Sequence, residues 1–414
     1  MRIRSWLVVG LVVVSALTGC SRQVGDPLPS IPVVLSLSGG AAGQEIHIGV
    51  LVAPKQGEGS EYRDVADGVR VGAYRFTLSG AKISIDVALD PGTADGVRTT
   101  LTQLAAKNVS GIIVVSAGAH IREAMAGLKL DPPVLLPYEN PDTPVPGVWG
   151  TGPNQSSIQQ TITTGLGKTH ASHPYVVTGD GQTAPKITAA KTEAYGNDTA
   201  NNVYAAIQSG LADSLVVAAG ALTQARLIAA VQQQLGVRQI PVITTPQALT
   251  PIFGTTLLQT TAVSSTLMTV GPNTSDPAAL DKGTDGAHAA TFYAALRLAA
   301  ADPNCLNLFG DTPLSQTTQT ADMASQDATI ALIRAVETAG TTSPATVKQT
   351  LQTMTVTQDQ GLSGPGLDFT KSSALPDSAV KVLYASSTDP GVRPPMVTTN
   401  SAAPTTGLVW FPVS

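Results

Sequence analysis

Cysteine is almost missing from this chain: two occur in 414 residues, Cys20 and Cys305. At most one intramolecular disulfide can form, which excludes a disulfide-stapled scaffold. Aromatic residues make up 4% and charged residues 13%. The net charge is −5, so the chain lacks the dense cationic stripe that nucleic acid requires. After the first twenty residues no apolar run approaches the ~20 residues that span a bilayer. Catalytic signatures are also missing. There is no G-x-S-x-G elbow and no Cys–His pair at a protease spacing. The five histidines (His47, His120, His170, His173 and His288) are scattered. His170 and His173 form H-x-x-H, but no Cys, Asp or Glu lies close enough in sequence to complete a zinc set. No metal and no cofactor is expected.

The chain does have a distinctive beginning. Arg2 and Arg4 precede an apolar run from Trp6 to Leu17, which ends in Leu17-Thr18-Gly19-Cys20. The run has the length of a signal-peptide core. Its ending resembles the lipobox of bacterial lipoproteins. That resemblance implies that residues 1–19 are cleaved and that Cys20 carries lipid. It implies an extracytoplasmic protein tied to a bacterial membrane by acyl chains, on the outer face of the cell membrane or in the periplasm. Cys305 is then left without a partner and reads as a small buried apolar residue. Removing 19 of 414 residues leaves 395, enough for two or three folding units.

Residues 21–44, rich in Pro, Gly and Ser, read as a flexible tether. From Ile46 the pattern alternates. Apolar strands are expected at 46–52, 82–89, 111–115 and 134–136. A helix carries Val65, Val69, Gly72, Ala73 and Phe76 on one face, and another carries Val97, Leu101, Leu104 and Ala105. Strand-helix alternation with short loops predicts α/β architecture with a parallel sheet. The Pro-rich stretch from Pro141 to Pro153 breaks the pattern and marks a crossing to a second α/β unit. That unit has a helix near 158–166 and strands at 175–177, 215–219, 241–243 and 263–270. Only about nine residues separate Val177 from an apparent strand at Ile187, too few for a helical crossover. Either a helix is missing there or residues 184–207 are themselves helical. A helix-rich segment follows over 285–354, with Ser343-Pro344 as a helix start. A Gly/Pro turn at 361–366, a strand near 380–384 and a Pro/Thr/Ser-rich tail from 391 close the chain.

Several stretches resemble the type I periplasmic solute-binding proteins, specifically the branched-chain amino acid receptor family of ABC importers. They are Ile46 to Val52 with its loop and helix, Gly111 to Gly118, Ala212 to Gly220 with the helix Gln224 to Leu235, Asp327 to Gly340, and Gly361 to Phe369. The resemblance implies two Rossmann-like lobes joined by a hinge. Lobe one would take 46–140 and 284–358, lobe two 154–270 and 362–390. It further implies a cleft at the carboxyl ends of the strands. The ligand residues it implies are Ser60, Tyr62, Ser116, Gly118, His120, Tyr138 and Glu139 from lobe one, with Asp180 and Tyr195 from lobe two. Ala117, Gly118 and Ala119 stand where that family offers further hydroxyls, and Tyr138-Glu139-Asn140 is bulkier than its usual loop. A cationic or hydroxylated ligand therefore suits Glu139 and Asn140 better than a free amino acid.

Two other constellations carry little. Gly165-Leu166-Gly167-Lys168-Thr169 lacks the first glycine of a phosphate loop, since Ile162 stands there, and reads as a helix ending. Asp180 and Glu193 have the residue types of a glycosidase pair but read as capping or solvated acids. The expected function is non-enzymatic: a lipid-anchored receptor that captures a small polar, amino-acid-like ligand for an ABC permease or a sensor. The alternative is an accessory lipoprotein of the cell envelope that uses the same fold to bind a protein.

Overall fold

The computed structural model describes residues 31–141, 143–260, 263–395 and 409–413. The lipobox and Cys20 lie outside them. Strand β1 (Glu45–Val52) is followed by α1 (Asp67–Thr77), β2 (Lys82–Leu89), α2 (Ala94–Ala105), β3 (Gly111–Val115), α3 (Ala119–Met125), β4 (Val134–Leu136) and β5 (Val148–Gly150). These five strands form one parallel sheet in the order β2-β1-β3-β4-β5. β3 is buried along its whole length, as a continuous Gly-Ile-Ile-Val-Val run in a sheet covered on both faces requires. β5 lies inside the Pro-rich stretch that reads as an inter-lobe linker. Trp149 fixes it there, buried and donating from Nε1 to the Phe369 carbonyl at 2.8 Å.

The second unit contains α4 (Gln155–Lys168), β6 (Pro174–Thr178), β7 (Lys191–Ala194), α5 (Thr199–Gln208), β8 (Ser214–Ala218), α6 (Ala221–Leu235), β9 (Val242–Thr244), α7 (Pro251–Leu257) and β10 (Leu267–Pro272). The chain then returns to the first unit with α8 (Thr284–Ala301), α9 (Met323–Ala339) and α10 (Pro344–Leu351). It passes through the small antiparallel pair β11 (Thr355–Val356) and β12 (Leu367–Asp368), then adds β13 (Val380–Tyr384) to the second sheet. That sheet runs β13-β10-β9-β8-β6-β7, parallel except for β13. α4 packs Ile158, Ile162 and Leu166 onto Val176, Ile243 and Val382. The Gly165–Thr169 run ends this helix, which stops at Lys168 with Thr169 N donating to Gly165 O, and Gly165 also lets the helix approach the sheet, since a Cβ there would lie 2.9 Å from Ile243 Cδ1.

The crossover from β6 to β7 has no helix. β7 begins at Lys191 and not at Ile187, so residues 179–190 make the connection as a loop. A dozen residues suffice for a parallel return, and Ile187 and Ala189 cover the sheet face that a helix would have covered. The helix expected somewhere in 184–207 is α5 alone, from Thr199.

Two expectations of looseness are corrected. Residues 31–44 are not a free tether but a strap on the first unit. Leu35 and Ala41 are buried. The fully buried Arg75 donates to the carbonyls of Val33 and Pro32 at 2.8 and 3.2 Å, and to that of Gly361 at 2.8 Å. An apolar Leu35 and the guanidinium donors of Arg75 outweigh the Pro/Ser composition. The described parts of the tail are docked as well. Phe411 is buried against Phe253, with centroids 6.0 Å apart, and Arg393 pairs with Asp276 at 2.7 Å.

Candidate functional site

The carboxyl ends of both sheets face one cleft. On its first wall, β3 runs into Ser116-Ala117-Gly118 and then α3. Gly118 has φ 127°, a backbone state that favours glycine. This places the amides of residues 118 and 119 at the cleft. Both are engaged by carboxylates of the chain itself. Gly118 N donates to Glu139 Oε2 at 3.0 Å, and Ala119 N to Glu58 Oε1 at 2.8 Å. His120 lies between two acids, Nδ1 2.9 Å from Glu58 Oε2 and Nε2 2.8 Å from Asp90 Oδ2. Ser116 Oγ donates to the same Asp90 oxygen at 2.7 Å.

The hydrogen bonds to Asp90 and then Glu58 outweigh burial and lift the His120 pKa to about 9. Both ring nitrogens therefore donate at neutral pH. Burial works against the charges of Glu58 and Asp90, but their bonds to His120 and neighbouring donors hold both pKa values below the ordinary carboxylate range. Glu139 differs: burial pushes its pKa up despite the Arg122 guanidinium 2.8 Å away.

The second wall repeats the arrangement. Asp180 Oδ2 accepts from Gly220 N at 2.9 Å, at the start of α6. Glu61, from the first unit, accepts from Ala221 N at 3.4 Å, and burial raises its pKa. Arg122 Nη2 reaches the Gly181 carbonyl at 3.0 Å. The two units are thus tied across the cleft by Glu61 and Arg122.

Beside this carboxylate-filled region lies a cavity of about 480 Å³ between the units. Its wall includes Tyr62 stacked on Tyr138, with centroids 4.2 Å apart and planes 21° from parallel. Tyr138 donates its hydroxyl to Asp322 Oδ2 at 2.7 Å. Asp322 also caps α9 by accepting from Ser325 N at 3.0 Å, and burial raises its pKa. The second unit contributes Gln182, Lys186 and Gln247.

No protein-family model matches this sequence, and no curated protein matches it. Solved structures do match in shape. A periplasmic binding protein type 1 from Bordetella pertussis superposes with a TM-score of 0.59 at 16% identity, over 82% of this chain and 96% of that one. The branched-chain amino acid transporter substrate-binding protein LivJ from Streptococcus pneumoniae, in complex with isoleucine, gives 0.60 at 13% identity, over 82% and 100%. An ABC transporter solute-binding protein from Rhodopseudomonas palustris, in complex with 4-hydroxybenzoate, gives 0.57 at 12%, over 83% and 91%. This chain has the type I periplasmic binding protein fold.

Within that fold, the residues singled out from sequence fall into two groups. Tyr62, Tyr138 and Glu139 border the cavity. Ser116, Gly118 and His120 belong to the carboxylate network beside it, and Asp180 caps α6. Ser60 opens the short 3₁₀ turn Ser60–Tyr62 and does not border the cavity. Tyr195 is 42% exposed beyond the end of β7 and does not border it either. Asp180 and Glu193 do not form a pair, since Glu193 binds Lys191 at 2.9 Å. Among the described residues no group of three His, Cys, Asp or Glu is placed to hold a metal ion.

Sequence reasoning missed Asp322 and the Asp276–Arg393 pair, all at the cavity wall. Asp322 had a readable signal, an Asp three residues before Ser325 at a helix start. Arg393 had none, because its partner lies over a hundred residues away.

Proposed function

We propose that this chain is a membrane-anchored extracytoplasmic lipoprotein. It captures a small solute between its two lobes for an ABC importer or a sensor. The lobes correspond to the two sheets with their helices, and the anchor is Cys20. The observation that carries the reading is the 480 Å³ cavity between the units, a size typical of small-molecule sites, in a type I fold. The solved proteins of similar shape that hold isoleucine and 4-hydroxybenzoate support it.

Solute screening by thermal shift tests it. A ligand specific for the folded state at 100 times its dissociation constant adds about 2.7 kcal/mol. Tyr138→Ala should lower the affinity of any hit about tenfold; unchanged affinity would remove Tyr138 from the site. For the anchor, Cys20→Ser should release the protein from the membrane fraction, and retention would count against lipidation.

A second reading, an accessory envelope lipoprotein that binds a protein, is favoured by one observation. The cleft amides of Gly118, Ala119, Gly220 and Ala221 already hold carboxylates of the chain itself. A flat solute screen on a cooperatively folding protein would favour it.

A further inference from the structure

The buried charged groups around the cavity are matched from within. Arg122 faces Glu139, and Arg393 takes both oxygens of Asp276 at 2.7 and 2.8 Å. Asp322 accepts from Tyr138 and Ser325. Asp327 accepts from the amides of Ser363 and Gly364 at 2.9 and 2.7 Å. Lys186 is exposed. The backbone donors nearest the cleft are likewise engaged, as described above. An anion entering here meets no unpaired buried cation among the described residues. A cation meets carboxylates already satisfied by two or more donors.

The buried groups that remain unmatched are neutral. Thr151 and Gln247 line the cavity and are only 8% and 7% exposed. Thr151 Oγ1 and Gln247 Oε1 have no hydrogen-bond partner, nor has Asn140 Oδ1 in the same wall. Thr151 follows β5 of the first sheet and Gln247 follows β9 of the second, so the unmatched groups come from both units. An orphaned buried acceptor is costly, and a ligand donor offsets that cost once a side chain turns toward it. The wall also offers apolar faces: Tyr62 stacked on Tyr138, with Pro137, Pro246 and Leu249. The volume equals that of about sixteen waters at ~30 Å³ each.

We infer that this cavity takes an uncharged, ring-bearing solute with amide or hydroxyl donors, and that it discriminates against carboxylates and zwitterions. The inference rests on the solute-binding reading and narrows it.

Matched pairs separate the charge from the ring. Calorimetric titration of the purified chain would compare nicotinamide with nicotinate and 4-hydroxybenzamide with 4-hydroxybenzoate, with isoleucine as a fifth probe. The expected result is at least tenfold tighter binding of an amide than of its acid, reduced about tenfold in Gln247→Leu. An acid or isoleucine binding as tightly as the amides overturns the inference and leaves the solute-binding reading standing. Silence from all five probes together with a charged hit in the thermal-shift screen has the same meaning. Silence in both experiments overturns the two readings together.

Discussion

His120 concentrates the chemistry of the cleft in one side chain. It is 8% exposed and bridges Glu58 and Asp90. Removing the charged member of such a cluster leaves the buried Asp90 and the half-buried Glu58 carboxylates without their shared cation. His120→Gln is therefore expected to cost about 3 kcal/mol, read as a lower midpoint in urea. The pH dependence follows from the directions of the shifts. His120 is raised to about 9, so its contribution is full below the ordinary histidine value and fades as pH rises through about 9. Glu58 and Asp90 are lowered, so theirs is present above the ordinary carboxylate range and fades as pH falls through their lowered values. Wild-type stability should drop between pH 7 and 9.5, and the drop should be smaller in His120→Gln. Equal drops would mean that His120 is not the titrating group.

At the scale of elements, α1 and α9 pack closely because α1 carries glycine at the contact. A Cβ on Gly68 would overlap Ser325 Oγ and Asp322 O, and one on Gly72 would lie 2.9 Å from Gln326 O. Gly68→Ala should cost about 1–3 kcal/mol through overpacking, while a silent substitution would show that the helices can part. The N-terminal strap depends on Arg75 in the same helix. Arg75→Met leaves the carbonyls of Val33, Pro32 and Gly361 without their donor, and residues 31–38 should then become protease-sensitive in the folded protein. Strong α/β periodicity made β1, β3, β8, α6 and α9 legible in the sequence, because each buries a continuous or one-sided apolar face. What stayed hidden had no local period. β5 is three residues inside a Pro-rich stretch, Leu35 is a lone apolar anchor, and the 179–190 loop replaces a helix. At the site, Tyr62 and Tyr138 were legible as rare aromatics in cleft loops. The network around His120 was not, since Glu58, Asp90 and Glu139 meet only through the fold.

Over the whole molecule, the two units meet through few polar ties. Arg122 joins Gly181 O, and Glu61 joins Ala221 N. Arg122→Ala also strips Glu139 of its cation, so the cleft should relax toward a wider arrangement, seen as a larger radius of gyration in small-angle scattering. An unchanged radius would show that the chain crossings near residues 150, 272 and 378 hold the geometry alone. The helix-free return between β6 and β7 has a different consequence. The segment that supplies Gln182, Thr183 and Lys186 to the cavity carries no secondary structure and is tied to the sheet at its ends, by Gly179 N to Ala218 O and Ala190 N to Pro174 O, and by the packing of Ile187 and Ala189. Its exposed positions, Thr183 and Lys186, are free to vary in residue type with little penalty to folding. On the proposed solute-binding function, ligand preference can thus drift through substitutions that the scaffold does not register. A directed-evolution library confined to 182–186 is the natural place to retarget it.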